Sequence, residues 1–169
     1  MDSKGAGTAL VALGCAAAWQ GIALYNLIGD PVPLYQAPKG VPAEELLRDW
    51  RRMFPPAKAI QVRLLTLGAA ASAVTAWGLR GGTPAEGRAA AAFGTAAAVN
   101  AGVLAFTMLK IMPVNDRLLP EGLAEKEEGQ DGIMWLLKKW GELHGVRTAM
   151  GAVALGAAAY GTHVLLTRQ

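Results

Sequence analysis

The chain has 169 residues, of which 53% are hydrophobic and only 17% charged, with a net charge of +3. A soluble domain carries about 25% charged residues, and here the charges gather between long stretches that have none. This argues against a soluble domain, and the mild basicity, without any Lys/Arg-rich run interleaved with aromatics, argues against nucleic acid as a partner.

No Asp, Glu, Lys or Arg occurs between Lys4 and Asp30. A helix needs about 20 apolar residues to cross the hydrocarbon core, so a first span is expected at about 6–28. It is too long for the apolar part of a cleaved signal peptide. Its one cysteine, Cys15, reads as a small core side chain. Trp19, Gln20, Tyr25 and Asn26 fall near its end. A connection follows, and Pro55 and Pro56 suit the start of a second helix, with a span at about 58–79. This span is the weakest, because Gln61 and Arg63 stand near its beginning; Arg63 either snorkels to the interface or points into the bundle. The segment Arg80 to Arg88 contains Gly-Gly-Thr-Pro and reads as a tight turn. It lacks the pattern of a phosphate loop.

The third uncharged stretch predicts a span at about 89–110, with Asn100 and Thr107 as its polar residues. Pro113 should end or kink that helix. Asn115, Asp116 and Arg117 then stand in a row at the membrane surface, either as a cap with flanking charges or as site residues. From Gly132 no proline interrupts the chain, so a helix should run without a break into a fourth span at about 144–166. In it Trp140, His144 and Arg147 are spaced four and three apart and share one face. Gly141, Gly145 and Ala149 form a small-xxx-small series suited to close packing. Ionisable residues at membrane depth face a bundle interior and are functional candidates. His163 lies too far along the helix from His144 to share a ligand set.

These readings give one all-α domain over 1–169: a four-helix transmembrane bundle with two long, partly helical loops on one face. The basic residues concentrate on that face. The positive-inside rule therefore puts loops 29–57 and 110–143 in the cytoplasm and the termini on the opposite side of a multi-pass integral membrane protein. Both loops meet at one end of the bundle, where the site is expected.

Three segments carry a resemblance. Gly21 to Tyr25 (Gly-Ile-Ala-Leu-Tyr), Met112 to Leu119 (Met-Pro-Val-Asn-Asp-Arg-Leu-Leu) and Trp140 to Arg147 (Trp-Gly-Glu-Leu-His-Gly-Val-Arg) resemble the anthrone oxygenase family, small four-span membrane proteins of polyketide pathways in secondary metabolism. The resemblance implies a monooxygenase that converts an anthrone-like aromatic polyketide to the anthraquinone with molecular oxygen. The route would be proton abstraction and an enolate, with oxygen as co-substrate and no bound redox cofactor. Such chemistry needs a base, a cationic or hydrogen-bonding partner for the enolate oxygen, and an apolar pocket. His144 is then the expected base, with Asp116 orienting or replacing it. Arg147, Arg117 or Arg63 would stabilise the enolate, and Asn115 would donate a hydrogen bond. Trp140 and Tyr25 would stack on the substrate, with Gln61 beside them. A metal ion at His144 is left open, as is a homo-oligomer. The competing expectation is a non-catalytic membrane protein that binds a lipid or quinone or acts as a scaffold. An enzyme would bring His144, Arg147, Asn115 and Asp116 to one cavity; a scaffold would scatter them among the headgroups.

Overall fold

A computed structural model describes residues 3–28, 40–119 and 129–167, almost all of them helical. We number the helices α1 (Ser3–Ile28), α2 (Ala43–Gly78), α3 (Pro84–Phe106), α4 (Met112–Leu118) and α5 (Gly129–Thr167). A short π-helical turn, Thr107–Ile111, joins α3 to α4 without a break in the rod. Four rods result, and all four are long and apolar enough to cross a bilayer.

The side-chain pattern shows why they pack as a transmembrane bundle. Along α5 the buried positions include the series Ile133, Leu137, Trp140, His144, Arg147, Gly151, Ala154, Ala158, Gly161 and Leu165. The steps alternate between four and three residues, as in a left-handed, slightly inclined helix bundle. In α2 the buried series Gln61, Leu65, Gly68, Ser72 and Thr75 keeps the same rhythm. The inner faces are mostly small, whereas large apolar side chains such as Leu10, Leu67, Val74, Trp77, Leu109 and Val153 point outward and are more than half exposed. A protein in water would reverse this arrangement; in lipid, close backbone approach between small residues is what holds helices together.

Each helix touches two neighbours around a square: α1 with α2, α2 with α3, α3 with α5, and α5 with α1. The turn between α2 and α3 is tight. Gly81 takes a positive φ of 75°, and Thr83 and Glu86 form a reciprocal capping box.

At the other end the rods outrun the expected spans. The helix expected to start at Pro55 and Pro56, with a span from 58, begins instead at Ala43, and both prolines lie inside it. The loop expected over 29–57 is therefore helical from 43 onward; its residues 29–39 lie outside the described residues. Each internal proline removes a backbone bond and costs about 3 kcal/mol in an ordinary helix. The offset is a second core. Leu46, Leu47, Trp50 and Phe54 of α2 bury themselves against Ile111, Leu118, Ile133, Leu136, Leu137 and Trp140. Side chains tie the ends together. The Gln130 amide accepts from the Ala43 N–H (3.0 Å) and donates to Glu44 (2.8 Å), capping a helix whose own N-cap is Pro42. Arg51 Nε donates to the Leu118 carbonyl at the end of α4 (2.7 Å).

Pro113 does not end the third span. The Met112 N–H donates to the Thr107 carbonyl, five residues back, so the chain takes one extra residue in that turn and then resumes as α4. The extra residue shifts the inward face by one position. The series Phe93, Ala96, Asn100, Val103 would continue through 107, 110, 114 and 117; instead Ile111, Asn115 and Leu118 are buried while Lys110 and Arg117 are exposed.

Packing against small residues is tight enough to test. A Cβ added to Gly151 would run into the Trp19 ring and the Gln20 amide, whereas one on Gly156 meets nothing within 4 Å. Gly151→Ala should lower stability by about 1–3 kcal/mol, the usual range for overpacking. Gly156→Ala should leave it unchanged, as read by thermal unfolding of the detergent-solubilised protein.

Candidate functional site

Near the end of the bundle that carries the second core, α5 turns two polar side chains into the interior. His144 is fully buried and Arg147 nearly so. The His144 ring stacks on Trp140, with centroids 4.9 Å apart. Its Nε2 is 2.9 Å from the Ala23 carbonyl of α1. A carbonyl only accepts, so Nε2 carries the hydrogen, and Nδ1 is left as an acceptor. Arg147 Nε fills that role, donating to Nδ1 at 2.9 Å. On its other side the guanidinium donates through Nη2 to Gln61 Oε1 of α2 at 2.8 Å, across the diagonal of the square. One hydrogen-bonded chain thus runs from α1 through α5 to α2.

Arg147 forms no ion pair among the described residues. It faces a pocket of about 60 Å³. The walls come from Met53, Phe54, Ala57, Lys58, Gln61 and Val62 of α2, from Leu104, Thr107, Met108 and Met112 on the third rod, from Asn115, and from Asn26, Trp140 and Arg147. They are mostly apolar. Three of the lining side chains also carry a buried polar atom with no hydrogen-bond partner among the described residues: Gln61 Nε2, Asn115 Oδ1 and Trp140 Nε1. Buried polar groups are rarely left so. A guanidinium, two neutral donors and one acceptor around an apolar space suit a flat ligand with an electron-rich oxygen and a hydroxyl.

The expected site residues divide into two groups. Arg147, Asn115, Trp140 and Gln61 line the pocket, and His144 stands directly behind it. Asp116, Tyr25 and Arg117 are exposed and do not line it. The one-residue shift at the π turn explains this for Arg117, since it turns Asn115 and Leu118 inward in place of Val114 and Arg117; Asp116 falls between the inward positions in either register. Tyr25 falls on the outer face of α1, two positions from the buried Ala23. Arg63 lines a neighbouring outer groove, because it is two residues from Gln61 and so points away from it. The surroundings of His144 bear on its expected role as base. Both ring nitrogens are engaged, so the lone pair that a base or a metal ligand would use is the one that accepts from Arg147. No three His, Cys, Asp or Glu side chains group to hold a metal among the described residues.

Sequence reading passed over Phe54, Met53 and Lys58, because they fell in or beside an expected loop. The signal was present in the helical spacing of Ala43, Leu46, Leu47, Trp50 and Phe54. Asn26 and Thr107, read only as bundle polar residues, also reach the pocket.

The model of a family described as anthrone oxygenase matches residues 50–157. The matched stretch contains Gln61, Asn115, Trp140, His144 and Arg147. No curated protein and no solved structure matches the chain.

The isolated cation has an energetic consequence. An arginine at mid-helix in a membrane costs about 2.5–3.5 kcal/mol on insertion scales. Replacing Arg147 with Met together with Gln61→Leu removes the charge and its amide partner. That double variant should be at least as stable as the parent, in line with the gain of roughly 1–4 kcal/mol seen when buried ionic groups are exchanged for apolar ones. His144→Ala should instead destabilise by about 1–3 kcal/mol, because it strips the Arg147 Nε–H of its partner. Denaturation midpoints of the purified variants check both directions.

Proposed function

The chain belongs to the anthrone oxygenase family, and on that premise we propose that its pocket oxidises an anthrone-like aromatic polyketide to the quinone with molecular oxygen. The observation that carries the proposal is a buried guanidinium that, among the described residues, has no counter-ion and faces an apolar pocket beside two unpartnered donors. Preorganised donors aimed at a developing oxyanion are the largest single contribution in many enzymes. Here they favour the enolate form of the bound ketone. The methylene proton leaves to water at the pocket mouth, and the enolate oxygen rests against Arg147, Gln61 Nε2 and Trp140 Nε1. The anion passes one electron to oxygen. The carbon radical and superoxide join in a C–O bond, and the peroxide takes up a proton. Loss of the second methylene hydrogen as a proton, with cleavage of the O–O bond and departure of hydroxide, leaves the new carbonyl. Anthrone and oxygen are thereby converted to quinone and water, with no other reductant.

In this scheme His144 is a positioning residue. It fixes the guanidinium through Nδ1 and is itself oriented by the Ala23 carbonyl. Asn115 Oδ1 accepts from a neighbouring hydroxyl of the substrate, and Trp140 and Phe54 supply flat walls. We place the protein in a cellular membrane with the basic, pocket-bearing end on the cytoplasmic side.

The test is oxidation of emodin anthrone by detergent-purified protein in aerated buffer, corrected for autoxidation without enzyme. Arg147→Met should lower kcat/KM about 10²–10³-fold, the loss typical of removing one oxyanion donor. His144→Gln keeps a side-chain acceptor but has no imidazole base, and should retain a tenth or more of the activity. The reverse order would return the role of base to His144. No enzymatic rate above background for the parent protein would leave a ligand-binding membrane protein as the reading.

A further inference from the structure

How a ligand reaches Arg147 is decided by what surrounds the mouth of the pocket. Two of its walls are also outer surface. Val62 of α2 and Leu104 and Met108 of the third rod line the pocket, and they are 43%, 39% and 58% exposed. Ile60 and Leu109 beside them are exposed as well. Such a surface is stable against hydrocarbon and costly against water, so the gap between α2 and α3 opens towards lipid.

A second, more open groove of about 430 Å³ adjoins the first and shares Phe54, Lys58 and Val62 with it. Its other walls include Ala59 and Arg63. Lys58 and Arg63 are exposed at the edge of the apolar stretch of α2, where long cationic side chains reach the headgroup level. Lys58 also lies over the Phe54 ring, at 5.8 Å. Among the described residues neither cavity is lined by an Asp or Glu. The path therefore passes two surface cations and ends on a third, Arg147.

We infer that the pocket is loaded sideways from the bilayer through the α2–α3 gap, and that Lys58 and Arg63 form a cationic threshold for an amphipathic, planar aromatic bearing an anionic or readily ionised oxygen. A ligand of this kind concentrates at the headgroup boundary, with its ring in the acyl region and its oxygen near the cations. It moves inward without returning to water. The inference rests on the proposed function for the ligand's chemical class; the route itself is read from the position and exposure of the mouth.

The test uses the full chain in nanodiscs and needs no turnover. In a Cys15→Ser background, Val62→Cys or Met108→Cys is labelled with bimane and exposed either to brominated lipid or to aqueous iodide. Brominated lipid should quench at least half of the emission, and iodide almost none. The reverse result overturns the route. In a second measurement, association of emodin, a coloured hydroxyanthraquinone that is already oxidised, is followed with Lys58→Gln/Arg63→Gln. Its on-rate should fall about tenfold, as for loss of electrostatic steering, with the off-rate unchanged. An unchanged on-rate overturns the threshold. Oxidation of emodin anthrone is assayed on the same nanodiscs. Lipid quenching without oxidation removes the proposed function alone, and oxidation with iodide quenching removes the sideways route alone.

Discussion

A single buried cation organises this molecule. Arg147 sits in a membrane-spanning helix, close to the axis of the bundle, without a carboxylate beside it among the described residues. A charge in that position is expensive. It is tolerable because its hydrogen bonds are anchored on two other helices, through His144 to the Ala23 carbonyl of α1 and directly to Gln61 of α2. The link to Gln61 joins α5 to α2, rods that stand diagonally opposite in the bundle and also meet in the second core. Cost and use are two sides of one arrangement: a guanidinium that no anion among the described residues neutralises keeps its attraction for an anion arriving from outside.

The helical layer beyond the expected spans belongs to the same arrangement. Phe54 stacks on Trp50 at 4.6 Å, Trp50 meets Trp140 edge-on at 5.8 Å, and Trp140 stacks on His144. The ladder runs from the second core to the ring that holds Arg147. Packing in the layer outside the apolar spans thus fixes a rotamer at membrane depth. The α2 helix pursues that packing through two consecutive prolines, and the second core as a whole, not Trp50 and Phe54 alone, offsets the lost backbone bonds.

Much of this was legible in the residues. Three stretches without charge, and a fourth interrupted only by Arg63, marked the rods. The four-then-three spacing of Trp140, His144 and Arg147 put them on one face, which holds because α5 is an unbroken helix. Their inward direction followed from the cost of placing them in lipid. The roles did not follow from spacing. His144 read as a base because imidazole titrates near neutrality, but the structure places an N–H donor on one nitrogen's lone pair and a carbonyl against the other nitrogen. That depends on α1 arriving beside α5, which no local pattern encodes.

The sequence by itself determined that the chain is apolar in four long segments, that its charges and long connections gather at one end, and that a histidine and an arginine share a face there. These depend on composition and on the fixed geometry of a helix. Tertiary structure decided which residues meet. The clearest case is the row Asn115-Asp116-Arg117, where chemistry alone made all three candidates. The π turn before Pro113 inserts one residue into the third rod and rotates everything after it by about a hundred degrees. Asn115 then faces the pocket, while Asp116 and Arg117 face outward. A register shift of one residue leaves almost no trace in a hydrophobic pattern, yet it chose the side chain that stands opposite Arg147.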